Sequence, residues 1–237
     1  MRLDDIDKII ILHYKPAIDR LPIIEHNIKI FNKLGISDKV YIHISVPLPF
    51  FDKIANFHRL NIANGNLIDT SDTFYDLPNV FNCALNWYTI MKQHQNNGLN
   101  ILCIEDDTII NDVDTFINYI LNCPKDCDIL RISCDNIDYN YIEDVNDLYY
   151  KQYIEDVNDI YYKQITRDNY TNWRCGSMAC FLVNDNAINF YCNFVEHNGY
   201  FPADHPWMNI KGINAYIVKK CPVINKSIIH DIKTTLL

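Results

Sequence analysis

The chain has 237 residues, 49% of them hydrophobic, and 30 acidic against 21 basic side chains give it a formal net charge of −9. That is ample apolar material for a core in one large or two small domains. The acidic balance, with no dense Lys/Arg run, excludes a surface built to neutralise nucleic-acid phosphates or anionic lipids, so no nucleic-acid partner is expected.

The opening octet MRLDDIDK is acidic, and the apolar run IIIL that follows it is too short for a signal-peptide core or a membrane span. These features predict a soluble, cytoplasmic protein without signal peptide or transmembrane segment. Residues 7–14 (DKIIILHY) form a continuous apolar strand. Pro22 then starts a helical pattern in which Ile23, Ile24, Ile28, Phe31 and Leu34 recur before Gly35 stops it. Residues 40–45 (VYIHIS) read as a second strand, followed by VPLPF. A helix is expected around 51–58, a turn at Asn64-Gly65, and a longer helix from about Asn79 to Gln93.

Residues 99–107 (LNILCIEDD) are an apolar run suited to a buried strand, and it ends in three consecutive carboxylates, Glu105, Asp106 and Asp107. In open α/β sheets ligands bind just beyond the carboxyl ends of the strands. Clustered carboxylates there relieve their repulsion by sharing protons or by taking up a hard divalent cation. The same tripeptide also suits a solvated loop or a helix cap. A helix near 112–122 and a strand at 127–133 (CDILRIS) complete a βαβ-type series, which predicts a largely parallel sheet.

YIEDVNDLYYKQ (141–152) is followed at once by YIEDVNDIYYKQ (153–164), a tandem duplication with one Leu/Ile change. Two copies are too few for a repeat architecture; an acceptor-binding or self-association element rich in Tyr and acid is one reading, and the favoured expectation is a neutral surface extension, with no core residue depending on both copies. Beyond it, NWRCGSMACFLV (172–183) enters a buried strand, and a helix runs from about Asn184 to Glu196. FPADHPW (201–207) is a Pro-flanked loop opening a short helix, and AYIVKKCPVI (215–224) reads as a late strand with a Pro stop. The nine cysteines are odd in number and scattered, which points to reduced core thiols. Cys123 and Cys127 lack a second pair at ligand spacing, so no structural zinc site is expected.

In order and spacing these segments resemble glycosyltransferase family 25, the lipopolysaccharide and collagen galactosyl- and glucosyltransferases. IIILHYKPAIDR is similar to that family's first strand with its following Arg20, and FNCALNWYTIMKQ to the helix before the acidic motif. ILCIEDD is similar to its EDD motif, CDILRIS to the next strand, MACFLV to a later strand, and PADHPW to its acceptor loop. Asn86-Trp87 stands where the family usually carries Ser-His. The resemblance implies a GT-A-like (Rossmann-like) α/β fold: one domain over 1–237, with a mostly parallel sheet flanked by helices. Its nucleotide-binding half would span about 1–135 and its acceptor side about 165–237, on either side of the 141–164 duplication. The implied activity is hexose transfer from UDP-glucose or UDP-galactose to a glycan, lipid or protein hydroxyl, with inversion.

Such a reaction needs a diphosphate clamp, stabilisation of the leaving charge, and a base. Asp107 and Glu105 are the candidate ligands for Mn²⁺ or Mg²⁺, Asp106 is a candidate for ribose or sugar hydroxyls, and His230 is a further metal ligand by resemblance. Asp204, held between Pro202 and Pro206, is the candidate base, with His205 beside it. Tyr14, Lys15 and Arg20 leave the first strand where a nucleotide would lie, Tyr14 to stack on a base and Arg20 to pair with phosphate. Asn86, Trp87, Trp173 and Arg174 are candidates for a sugar pocket, although Trp87 on a helix facing the sheet also fits a core position. The competing readings are a non-catalytic carbohydrate-binding or structural protein that keeps the fold, and a metal-dependent phosphohydrolase or nuclease.

Overall fold

A computed structural model describes residues 1–45, 78–133, 162–165, 179–198, 213–218 and 221–225. The expected helix at 51–58, the Asn64-Gly65 turn and the 201–207 loop lie outside them. The apolar run predicted as the first strand is β1 (Lys8–Tyr14), with five consecutive buried residues. Helix α1 (Leu21–Lys33) has Pro22 in its first turn, where the missing N–H costs no helical bond. It is followed by Gly35 at φ +72, a left-handed conformation that favours glycine. Then come β2 (Val40–Ser45), α2 (Pro78–His94), β3 (Ile101–Glu105), β4 (Thr108–Ile110) and α3 (Val113–Leu121). The Asp112 side chain caps α3 by accepting from the Thr115 amide at 3.1 Å. The remaining elements are β5 (Ile129–Arg131), β6 (Tyr162–Ile165), β7 (Cys180–Val183), α4 (Asp185–Asn198), β8 (Ala215–Val218) and β9 (Val223–Asn225).

Seven strands form one sheet in the order β2-β1-β3-β7-β5-β8-β6, and β4 pairs with β9 in a second, two-stranded sheet. β2, β1 and β3 are mutually parallel, as are β5 and β8, whereas β7 and β6 run against their neighbours. Five of the seven strands thus share a direction, and the α/β architecture agrees with the expectation. The parallel series is interrupted by β7, inserted between β3 and β5.

Alternation along the central strands sends side chains to two cores. Ile10, Leu12, Ile101, Cys103 and Phe181 pack against Trp87, Ile90 and Met91 of α2 and Ile188 and Tyr191 of α4. Ile9, Leu102, Ile104, Leu130 and Leu182 pack against Ile30 and Phe31 of α1 and Phe116, Tyr119 and Ile120 of α3. The sheet is therefore covered on both faces, as continuous apolar strands require.

The late strand expected over 215–224 with its Pro stop is β8, and a second strand, β9, follows Pro222 in the other sheet. Pro222 has no N–H for a ladder, and its carbonyl accepts from the Asn111 and Asp112 amides at 3.0 Å each, which carries the chain from β8 towards β4. The last three residues of the duplication, with Ile165, form β6 beside β8, so the second copy contributes backbone to the main sheet.

Asn27 ties α1 to β4. It is 1% exposed, donates to the Thr108 carbonyl at 2.7 Å and accepts from the Ile110 amide at 3.0 Å, standing in for a neighbouring strand. Asn27→Leu leaves two buried backbone groups without partners and is expected to cost about 1–3 kcal/mol in urea unfolding. A change below a few tenths would show that β4 is held elsewhere.

The thiols of Cys103 and Cys180 are fully buried, and burial raises both far above the ordinary range; Cys192 is pushed up to about 11, also by burial. The native fold keeps these protons while the unfolded chain releases its own near the usual thiol value. Their contribution to stability is therefore complete below about pH 8.5 and is lost as pH rises towards each raised native value, about 11 for Cys192, by at most about 1.4 kcal/mol per pH unit for each thiol. The urea midpoint is expected to fall between pH 8 and pH 10, and a constant midpoint would mean that the native thiols ionise as readily as unfolded ones.

Candidate active site

The carboxyl ends of β1, β2 and β3 meet at a cavity of about 90 Å³. β3 ends at Glu105, which pairs in register with Leu12 of β1, and Tyr14 of β1 pairs with Ser45 of β2. The Asp106 amide donates to the Leu12 carbonyl at 3.1 Å, so the ladder continues one residue past β3 and fixes where the three carboxylates emerge. Glu105, Asp106 and Asp107 all border the cavity, together with Tyr14 at the end of β1 and Arg20 from the segment after it.

The three carboxylates differ in what they do. Asp106 is 3% exposed, and both its oxygens face protein donors. One accepts from the Arg20 guanidinium at 2.6 Å; the other takes the His13 Nδ1 contact at 2.8 Å and the Tyr14 amide at 2.9 Å. Asp106, expected to bind ribose or sugar hydroxyls, borders the cavity and also anchors the start of the segment after β1 through these three contacts. Arg20 is 4% exposed and also stands 3.6 Å from Asp107. Burial works against its charge, but the carboxylates of Asp107, Asp106 and Glu105 outweigh burial and raise its pKa above the ordinary guanidinium value. Arg20, expected as a phosphate partner, is first the counter-ion of the acidic cluster.

Glu105 is half-buried, and one of its oxygens accepts from Trp87 Nε1 at 3.5 Å and from the Cys83 thiol at 3.6 Å. Trp87 itself is 2% exposed and packs edge-on against Phe181 with ring centroids 5.2 Å apart. It is a core residue with one polar edge on the site, as its position on a sheet-facing helix suggested.

Asn86 does not border the cavity. It lies one turn behind Asn82 on α2, where its Nδ2 donates to Ser45 Oγ and to the Asn82 carbonyl and so supports two residues that do border the cavity. Lys15 is exposed and away from the cavity, and only its backbone amide engages the site, donating to the Ser45 carbonyl at 3.0 Å. Asp204, His205, Trp173, Arg174 and His230 fall outside the described residues. Sequence reasoning missed Ser45, Asn82 and Cys83, which also border the cavity. Their one readable signal was polarity at a strand end and along a helix one turn from Asn86.

Among the described residues no group of three or more His, Cys, Asp and Glu side chains is arranged to hold a metal ion, and no helix is long and apolar enough to cross a membrane. Compared with protein-family models and with curated protein sequences, the chain matches none.

Proposed function

We propose that the chain is a metal-dependent hexosyltransferase of GT-A type that uses a nucleoside diphosphate sugar, UDP-glucose or UDP-galactose. One observation carries the reading: Glu105 and Asp107 border a single cavity with Tyr14 at the carboxyl ends of parallel strands, while Asp106 between them is committed to Arg20. A cation with only one or two carboxylate ligands and the rest from water and phosphate is the usual way Mg²⁺ is held beside a nucleotide. The donor set fits such an ion. All its atoms are hard oxygens, and three carboxylates face one guanidinium, leaving negative charge for a dication to offset. Glu105 and Asp107 would hold the ion, which when bound supplies charge stabilisation to the departing diphosphate.

The protein's own groups have distinct tasks. Tyr14 offers a ring for the nucleotide, and Arg20, fixed by Asp106, adds positive charge beside the site. In the transfer an acceptor oxygen forms a bond to the anomeric carbon from the face opposite the diphosphate. The acceptor's proton passes to a base, for which Asp204 is the candidate by resemblance, and the bond from the anomeric carbon to the phosphate oxygen breaks with its electron pair leaving on the diphosphate. The test is incubation with UDP-glucose and UDP-galactose in Mn²⁺, with a simple aryl phosphate as control. UDP release from one sugar nucleotide, abolished by chelation, with the aryl phosphate untouched, is the expected result. Hydrolysis of the aryl phosphate without turnover of either sugar nucleotide would replace this reading by a phosphohydrolase.

A further inference from the structure

Ser45 ends β2, is 4% exposed and borders the cavity. Its oxygen accepts two N–H bonds, from Asn82 Nδ2 at 3.0 Å and from Asn86 Nδ2 at 2.9 Å. Both amides are oriented by the protein. Asn86 Nδ2 also lies 2.6 Å from the Asn82 carbonyl, which needs a donor, and its Oδ1 takes His43 Nε2 at 3.1 Å. Turning the Asn82 amide over would set its nitrogen against the Asn86 nitrogen, where Asn82 Oδ1 now sits at 3.4 Å. A hydroxyl has two lone pairs and one proton. With both lone pairs taken, Ser45 can only donate, and among the described residues nothing accepts its proton. A buried donor without an acceptor costs about 1–3 kcal/mol, so its occurrence on a cavity wall points to an acceptor supplied from inside the cavity.

We infer that Ser45 is a specificity-determining donor, locked by Asn82 and Asn86 to recognise an accepting oxygen of the bound molecule. The inference rests on the nucleotide-sugar reading and deepens it. The oxygen belongs to the chemistry shared by a base carbonyl and a phosphoryl group; an amine at the same place would meet a donor and be rejected.

Calorimetric titrations in Mn²⁺ of UDP, CDP and inorganic pyrophosphate into the wild type and Ser45→Ala test it. The variant is expected to weaken UDP by about five- to tenfold, the loss of one hydrogen bond. Affinity for Mn²⁺ alone, which reports the carboxylates, is expected to stay unchanged. A loss confined to UDP assigns the C4 carbonyl of the base, a loss shared by UDP and CDP but not by pyrophosphate assigns the C2 carbonyl that both bases carry, and an equal loss for all three probes assigns a phosphoryl oxygen. UDP affinity within twofold of wild type overturns the inference while leaving the function standing, as does a loss matched by an equal loss of Mn²⁺ affinity. A wild type that binds none of the three probes overturns both. Ser45→Cys, nearly isosteric and a weak donor, is expected to weaken UDP as alanine does and answers the question where Ser45→Ala does not fold.

Discussion

Replacing Asp106 with alanine is expected to lower folding stability by about 3–5 kcal/mol, because it leaves the Arg20 guanidinium buried without its closest counter-charge. The His13 ring and the Tyr14 amide lose their acceptor in the same step. Asp106→Asn is expected to recover little of this. Both carboxylate oxygens face donors, so whichever way the amide is turned, its NH₂ meets either the guanidinium or the Tyr14 N–H. The double replacement Arg20→Met/Asp106→Leu removes both charges together and is expected to cost less than Asp106→Ala alone. Equilibrium urea unfolding of the three variants checks this. A cost below about 1 kcal/mol for Asp106→Ala would show that water reaches Arg20 and that Asp106 is not the anchor of the segment after β1.

Asp107→Asn is expected to act on chemistry far more than on folding. Asp107 is the looser partner of Arg20, at 3.6 Å against 2.6 Å for Asp106, so the guanidinium keeps its main counter-ion when the Asp107 charge is removed. The loss falls on the cation site, where one of two carboxylate ligands disappears. Losing even a residue that only supports a metal ligand typically costs about 10–100-fold, and losing a ligand is expected to cost at least the upper end of that range in kcat/KM for the UDP-sugar. Glu105→Gln should behave alike, whereas Asp106→Asn should show its deficit in stability first. Initial rates across a Mn²⁺ series separate these cases. Unchanged kcat/KM in Asp107→Asn at saturating Mn²⁺ would remove Asp107 from the cation site.

What could be read in the sequence was set by how local the signal is. β1, α1 and β3 announce themselves through unbroken apolar runs or helical spacing, and the carboxylates are visible because three charges follow a buried strand without a break. β4 is only three residues long and directly follows those charges, so no periodicity marks it. The antiparallel insertion of β7 depends on how strands far apart in the chain are ordered, which an apolar run such as CFLV does not encode.

At the site the same limit decides the outcome. Asp106 is set apart from its two neighbours by close partners 86 to 93 residues away, Arg20, Tyr14 and His13. Ser45 and Asn82 read as ordinary polar residues until β2 is laid beside β1 and α2 brings an amide to each side of one hydroxyl. The bonds of Asn86 to Ser45 and to the Asn82 carbonyl likewise depend on how α2 packs beside β2 and leave no mark in the sequence.

The most direct test of the central claim is calorimetric titration of UDP into the wild-type protein in Mn²⁺, repeated after chelation, with GDP and CMP as controls. Saturable UDP binding that disappears with the metal, and is not matched by GDP or CMP, is the result a UDP-sugar transferase with its cation on Glu105 and Asp107 predicts. Absence of binding by all three nucleotides with Mn²⁺ present would contradict it and leave the fold with a binding or structural role.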